Sequence, residues 1–458
     1  MPARPRLAVL PLLAVIAVGL FLSVVQVFNY PRLSPVDELS HLDYMFRSPT
    51  VLEQGDKVEQ QAMRTQACRG VDVEGFDPIP CPPGIVYDPD IYQEKGYNTA
   101  ATNTPIYYTA DRALAEVIRI ATPVDNLFIA GRLAGAVWLA LGIVLTWLAG
   151  RRLGIGRLPL GAVLGLLVAS PAVTYPSATV TPDALGLAGG AAVLLTALRW
   201  EQRPTRGRAA ALIATAVVVS LIKLTFFAVV PAVALYLLLH RSRSWESSGV
   251  TAFAEPGEPG TASVSASGRA RTVVALATGA AALVAAFGWT LVSNARSHQD
   301  PNDLPSMATQ FAVDAFPWRG LIDSAFSLAQ PLLSPWVGVG DPTLMFFSTN
   351  VVTMVFTAGL LAAALFVTHG EREALLARCL LLAAVVFSLG LVVLGYVSSH
   401  IYFALPNRYG ITLVAPIAVV TASLLRSRTS VAIVIGLAVL ASLMSALRLL
   451  GLTGIPPT

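Results

Sequence analysis

The chain has 458 residues, 55% of them hydrophobic and only 13% charged, with a mean hydropathy of +0.66. A water-soluble domain carries about a quarter charged residues, so this composition excludes an ordinary soluble enzyme and predicts an all-α polytopic membrane protein. The net charge of +4 does not point to nucleic acid, because most arginines lie in short loops between apolar runs, where they orient the spans by the positive-inside rule.

Hydropathy predicts about eleven spans, near 7–28, 127–149, 158–175, 183–200, 209–223, 225–240, 272–293, 344–368, 374–397, 409–425 and 430–450. The first is read as a retained span: its apolar run is too long for a signal-peptide core, and no small-x-small site precedes Asn29. With the N-terminus inside, the Arg-bearing loops "RRLGIGR", "RWEQRPTRGR", "HGERE" and "RSR" fall on the cytoplasmic side. The long 29–126 loop, "YPSATVTPD", the turn at Lys223, the 294–343 loop and "SSHIYFALPNRYG" fall on the other. The expected organisation is an N-terminal membrane module (1–240), a flexible cytoplasmic linker (241–271) and a C-terminal membrane module (272–458). The linker is Ser/Gly/Pro-rich and cannot bury a core.

Within the first loop, "RALAEVIRIA" places Leu114, Val117, Ile118 and Ala121 at helical spacing, which predicts an interfacial helix. Cys68 and Cys81 lie in the same loop. On an oxidising face they form a disulfide contributing about 3 kcal/mol in the chain-entropy model; the alternative is two free thiols.

The segment "SPVDELSH" follows the first span. Ser34-x-x-Asp37 has the form of a capping box with Pro35 at the first helical position. Capping accounts for one acid, not for Asp37, Glu38, His41 and Asp43 together at a membrane edge, where ionisable groups are costly and usually functional. At helical spacing Asp37, Glu38 and His41 converge on one patch. Such a patch takes a proton from a hydroxyl as a general base or holds a divalent cation, and both remain open.

Further along, Asp183 in "TPDALG" has Thr181 as its cap residue. Lys223 is one of only three lysines and the one set in apolar sequence. It either snorkels to the interface or meets a phosphate. Arg408 in "LPNRYG" is a two-pronged donor suited to phosphate oxygens, or an interfacial anchor. Tyr107 and His400 are weaker candidates for substrate contact, the tyrosine reading equally as an interfacial aromatic. No Walker loop, GxGxxG or GxSxG motif occurs.

Taken in order, these stretches resemble a known family. An acidic pair after the first of about eleven spans resembles the GT-C superfamily of membrane glycosyltransferases. More narrowly, "SPVDELSHLDY" is similar to the "PDEPAH" signature of a bacterial membrane-protein family of unassigned function. "NTPIYYTADRAL", "TVTPDALGL", "SLIKLTFFAVVPAVAL" and "NRYGITLVAPIAVV" are similar to its later segments. Leu39 and Ser40 stand where the family has Pro and Ala, and Asn103-Thr104 replaces its polar-Pro lead-in.

The resemblance implies a GT-C-like fold in a bacterial plasma membrane. It also implies transfer of a sugar from a polyprenyl-phosphate donor to an envelope glycan or lipid-linked acceptor on the extracytoplasmic face. On that basis Asp37 is the general base, with Glu38 assisting it or contributing to a cation site; His41, Asp183, Lys223, Arg408, Tyr107 and His400, read from the residues themselves, are the candidate substrate contacts beside them. The competing expectation is a transporter or flippase of lipid-linked saccharides, which predicts charges near mid-bilayer and inverted repeats. Neither is visible in the sequence.

Overall fold

The computed structural model describes residues 9–73, 76–240, 267–333, 342–367 and 372–452. Most of the expected linker, 241–266, lies outside the described residues. No strand forms among them, and paired backbone is limited to isolated bridges such as Leu33 with Val71.

Helix α1 (Leu10–Asn29) opens with Pro11 in its first turn and ends at Tyr30. The loop that follows carries α2 (Glu38–Arg47), α3 (Gln60–Arg69) and α4 (Ile106–Ala121). Then come α5 (Leu127–Arg152), α6 (Arg157–Val168), α7 (Pro171–Thr174), α8 (Gly186–Gln202), α9 (Arg206–Ile222) and α10 (Val229–Leu239). The remainder is α11 (Gly268–Ala295), α12 (Ser306–Gln310), α13 (Trp318–Ser324), α14 (Pro342–Leu365), α15 (Arg372–Ser399), α16 (Val414–Ser423) and α17 (Arg428–Leu449).

Among the described residues six helices, α1, α5, α11, α14, α15 and α17, are long and apolar enough to cross a bilayer. Helix α6 and the Pro171–Ala178 segment form a further candidate, bent by 76°. The other four expected spans are helical but shorter, with 17, 17, 11 and 10 residues in α8, α9, α10 and α16.

The shortening has a local cause. Three of the four begin in tighter 3-10 turns: Pro182–Leu185 before α8, Leu224–Ala228 before α10 and Asn407–Leu413 before α16. Pro182 and Pro406 lack an amide donor and stop the α-ladder from running further back. The three that start in 3-10 turns are largely enclosed, as α16 shows by burying Val414 through Ala422. The long ones face outward, with Val284 of α11 71% and Val439 of α17 64% exposed.

One close approach fixes the interior. On α8, Gly186 and Gly190 meet the Asn407–Leu413 turn. A Cβ on Gly190 would sit 1.8 Å from the Thr412 carbonyl oxygen, and one on Gly186 2.3 Å from Ile411 Cγ2. Small residues spaced four apart let backbones touch where lipid supplies no hydrophobic drive.

The first loop folds as a cap over this end of the bundle. The Cys68–Cys81 disulfide is formed. Arg47 pairs with Asp43 (3.4 Å), Asp56 (3.5 Å) and Glu59 (3.1 Å). The cap is tied to the 294–343 connection by Arg296–Glu53 (2.5 Å) and Lys95–Asp303 (2.9 Å). That connection in turn bridges to the next through Ala312 and Ile401. On α4 the apolar stripe turns outward, with Val117 58% and Ile120 87% exposed, while Tyr107, Tyr108 and Asp111 face in.

Gly190→Ala should lose about 1–3 kcal/mol through overpacking. Its thermal midpoint in detergent should fall below that of Gly436→Ala, a position with nothing within 4 Å of an added Cβ. Equal midpoints for the two variants would rule out the close approach.

Candidate functional site

The chain reverses between α1 and α2 through Ser34–Asp37. Ser34 Oγ accepts the Val36 N–H (3.0 Å) and the Tyr175 hydroxyl (2.6 Å). The capping box expected of Ser34 and Asp37 is closed by Glu38 instead, whose Oε2 accepts the Ser34 N–H at 2.6 Å. The reason is the backbone of Asp37. At φ 59° it sits in the left-handed region, so the helix begins one residue later and the Asp37 carboxylate makes no cap bond.

Glu38 is wholly buried and fully engaged. Its oxygens accept Arg132 Nε (2.8 Å) and Nη2 (2.6 Å) and the Val180 N–H (3.0 Å), besides Ser34. Arg132 also donates to the carbonyls of Tyr30 (2.8 Å) and Arg32 (2.7 Å) and lies over the Phe128 ring (4.3 Å). Glu38 therefore stands beside Asp37 in sequence but faces away from it in space.

Asp37 meets different partners. Its Oδ2 is 3.3 Å from Arg408 Nη2, Arg408 Nη1 is 4.0 Å from Asp183 Oδ2, and Asp183 Oδ1 is 2.6 Å from Lys223 Nζ. The result is a ladder of alternating charge built from residues up to 371 positions apart. Exposure is greatest at its Asp37 end and least at Asp183: the side chains are 35% exposed at Asp37, 21% at Arg408, 5% at Asp183 and 15% at Lys223. Asp183, Lys223 and Arg408 each sit at the start of one of the three 3-10 turns, and the Thr181 hydroxyl accepts the Asp183 N–H as the expected cap (3.4 Å). The Tyr409 ring lies 5.6 Å from Lys223 Nζ and 5.9 Å from Arg408 Cζ. Beside Arg408 and Asp183 opens a narrow cleft of mixed polarity, walled by Ser34, Val36, Tyr175, Thr179, Thr181 and Ile411.

His41 is buried next to this ladder. Burial lowers its pKa to about 4 against the pull of Asp37, so the ring is neutral at pH 7. Its Nδ1 is 2.9 Å from the Tyr108 hydroxyl. Tyr107 is structural in placement: buried, its hydroxyl accepts the Thr181 N–H (3.1 Å). His400 packs on Tyr396 (5.0 Å between rings) and accepts the Val313 N–H, and no described contact ties it to the ladder. Among the described residues no group of three or more His, Cys, Asp or Glu side chains is placed to hold a metal. The trio Asp37, Glu38 and His41 is split because Glu38 turns to Arg132 and His41 to Tyr108.

Several contributors were missed in the sequence. Arg132 stands alone inside "LFIAGRLAGAVW", and an unpaired arginine in a span is itself a signal. Tyr108 and Asn103 were passed over beside Tyr107. Asp111, on α4, is buried with Trp138 Nε1 donating to its Oδ1 (2.9 Å), and burial raises its pKa to about 7.

Removing one partner of the Glu38–Arg132 pair, by Glu38→Leu or Arg132→Met, should destabilise the fold by about 3–5 kcal/mol, because the other charge stays buried and unpaired. Arg132→Lys should not restore the loss, since an ammonium cannot span the same fork. Unfolding midpoints in detergent test both.

The two shifted groups also predict a pH effect. His41 is depressed from 6.5 to about 4, so the unfolded chain protonates first and stability falls as pH drops through that window. Asp111 is raised from 3.8 to about 7, so the native chain protonates first and stability grows over nearly the same range. The slopes oppose each other. Asp111→Asn should therefore lose stability on acidification relative to the parent, by up to about 1.4 kcal/mol per pH unit; parallel profiles would count against the Asp111 assignment. No protein-family model and no curated protein matches the chain, which leaves the geometry of these side chains as the ground for what they do.

Proposed function

We propose that the protein is a membrane glycosyltransferase of GT-C type, using a polyprenyl-phosphate sugar as donor and an envelope glycan or lipid-linked acceptor on the extracytoplasmic face. The observation that carries the reading is the ladder itself. A half-exposed carboxylate, Asp37, ends a row in which two cations, Arg408 and Lys223, stand ready for an anion. The five stretches that resemble the family also meet here, contributing Asp37 and His41, Asn103 and Tyr108, Asp183, Lys223, and Arg408.

The chemistry follows from unequal contacts. Lys223 holds Asp183 tightly at 2.6 Å, whereas Arg408 reaches its two carboxylates only at 3.3 and 4.0 Å, and its Nε is buried without a partner. A donor phosphate offers Arg408 shorter, bidentate bonds. Drawing Arg408 toward the phosphate takes a cation away from Asp37 and makes that carboxylate a stronger base. Asp37 then accepts the acceptor hydroxyl's proton as its oxygen attacks the anomeric carbon. The bond from that carbon to the phosphate oxygen breaks, polyprenyl phosphate departs with the electron pair, and the configuration inverts. Glu38 acts by holding the Ser34–Asp37 turn.

The role of the lone base is tested with Asp37→Asn. Purified protein with a polyprenyl-phosphate sugar and an envelope acceptor should lose transfer by about 10²–10⁴-fold while still binding donor, and Arg408→Lys should raise the donor KM. Equal transfer by Asp37→Asn and the parent would sink the assignment. If no donor ever yields polyprenyl phosphate, transport of a lipid-linked saccharide becomes the better reading. Against that alternative, the buried in-span arginines Arg132 and Arg448 lie near helix ends, not mid-span.

A further inference from the structure

His41, Tyr108 and Asn103 form a hydrogen-bonded chain that the reaction above leaves without a task. Tyr108 has no freedom to move. Its ring is fully buried, stacked on Tyr44 with centroids 4.0 Å apart at 13°, and met edge-on by Tyr107 at 5.1 Å. The phenol oxygen is therefore a fixed point. Asn103 Nδ2 donates to it at 3.1 Å, and His41 Nδ1 lies 2.9 Å from it.

A phenol has one proton to give. With the Asn103 amide already donating to the oxygen, that proton is directed at His41 Nδ1, which must then be an acceptor. A neutral imidazole that accepts at Nδ1 carries its hydrogen on Nε2. The charges that act on the ring are those of the ladder, Asp37, Lys223, Asp183 and Arg408, so the ring lies within their field.

We infer that His41 presents a neutral Nε2–H to an oxygen of the bound phosphate ester, and that Tyr108, itself set by Asn103, is the positioning residue that fixes this tautomer. The inference rests on the transferase reading for the identity of the ester. Charge explains the arrangement. Asp37, Asp183, Lys223 and Arg408 already sum to zero, and an imidazolium among them would hold down the basicity of Asp37. A neutral donor binds oxygen without that penalty.

The full-length protein, labelled with ¹⁵N-histidine and placed in nanodiscs without any sugar donor, tests it by NMR. The His41 signals are identified by their loss in His41→Gln. The parent should show the Nε2–H tautomer, unchanged from pH 8 to pH 5.5. Tyr108→Phe removes the donor and should give a mixture of tautomers. Asn103→Asp replaces a donating amide with an accepting carboxylate. It should draw the phenol proton away and switch His41 to Nδ1–H. Both variants should lower transfer on the order of tenfold, the worth of one hydrogen bond, with the donor KM little changed. An imidazolium or an Nδ1–H ring in the parent at pH 7 overturns the inference, as does a tautomer that neither variant moves. Because the spectra need no donor, a wrong tautomer defeats the role of His41 whatever the activity. Absent transfer with the expected tautomer counts against the transferase reading alone.

Discussion

The buried pair of Glu38 and Arg132 is the constraint on which the loop-bearing end of the molecule depends. Taking two such charges out of water carries a penalty of several kcal/mol each even after relaxation, and their attraction offsets it only when the remaining valences are filled. Here they are. The carboxylate accepts from Arg132, Val180 and Ser34, and the guanidinium reaches on to the Tyr30 and Arg32 carbonyls. One knot thus joins the exit of α1, the start of α2, α5 and the stretch before Pro182. A chain held at both Ser34 and Glu38 has little choice of path between them, and the left-handed backbone of Asp37 is the outcome. Such a conformation costs about 1–3 kcal/mol and persists only where its surroundings over-determine it. The strained residue is also the one whose carboxylate points to the ladder.

A second constraint acts from below. An α-helix that began a turn earlier at Asp183, Lys223 or Arg408 would spread these side chains around separate helix faces. The 3-10 turns instead let each chain dip inward before its helix starts, so that three charges meet at one level. Gly190 is what allows α8 to touch the Asn407–Leu413 turn, since any larger residue would collide with the Thr412 carbonyl. Site and fold are coupled here through backbone contact.

Much of this was legible in the sequence and some of it was not, for physical reasons. Apolar runs reveal spans, so the eleven segments were found as helices, but hydropathy does not register where an α-ladder stops. The short, 3-10-led α8, α10 and α16 read as full spans for that reason. Asp37, Asp183, Lys223 and Arg408 stand out as charges beside apolar sequence, each with a bland reading as cap, snorkel or anchor, and the fold brings the four together. Glu38 was misjudged because adjacency in sequence says nothing about which way a side chain turns at a left-handed residue. Its true partner lies 94 positions away. His41 lies beside the ladder, and its contact with the Tyr108 hydroxyl, which Asn103 also meets, is one that no spacing rule predicts.

The balance of the ladder bears on how four charges can lie together at this point of the fold. Four charges of alternating sign sum to zero, and each has an opposite neighbour, so the row is tolerable at the edge of a low-dielectric bundle. On the transferase reading proposed above, Arg408 is the cation that a donor phosphate draws away from Asp37. On that reading the phosphate enters at the loosest joint, the 3.3 Å contact, while the 2.6 Å Lys223–Asp183 pair stays as an anchor. Asp37 then loses its cation neighbour only as the donor binds, and a neutral His41 beside it adds no charge that would take that cation's place.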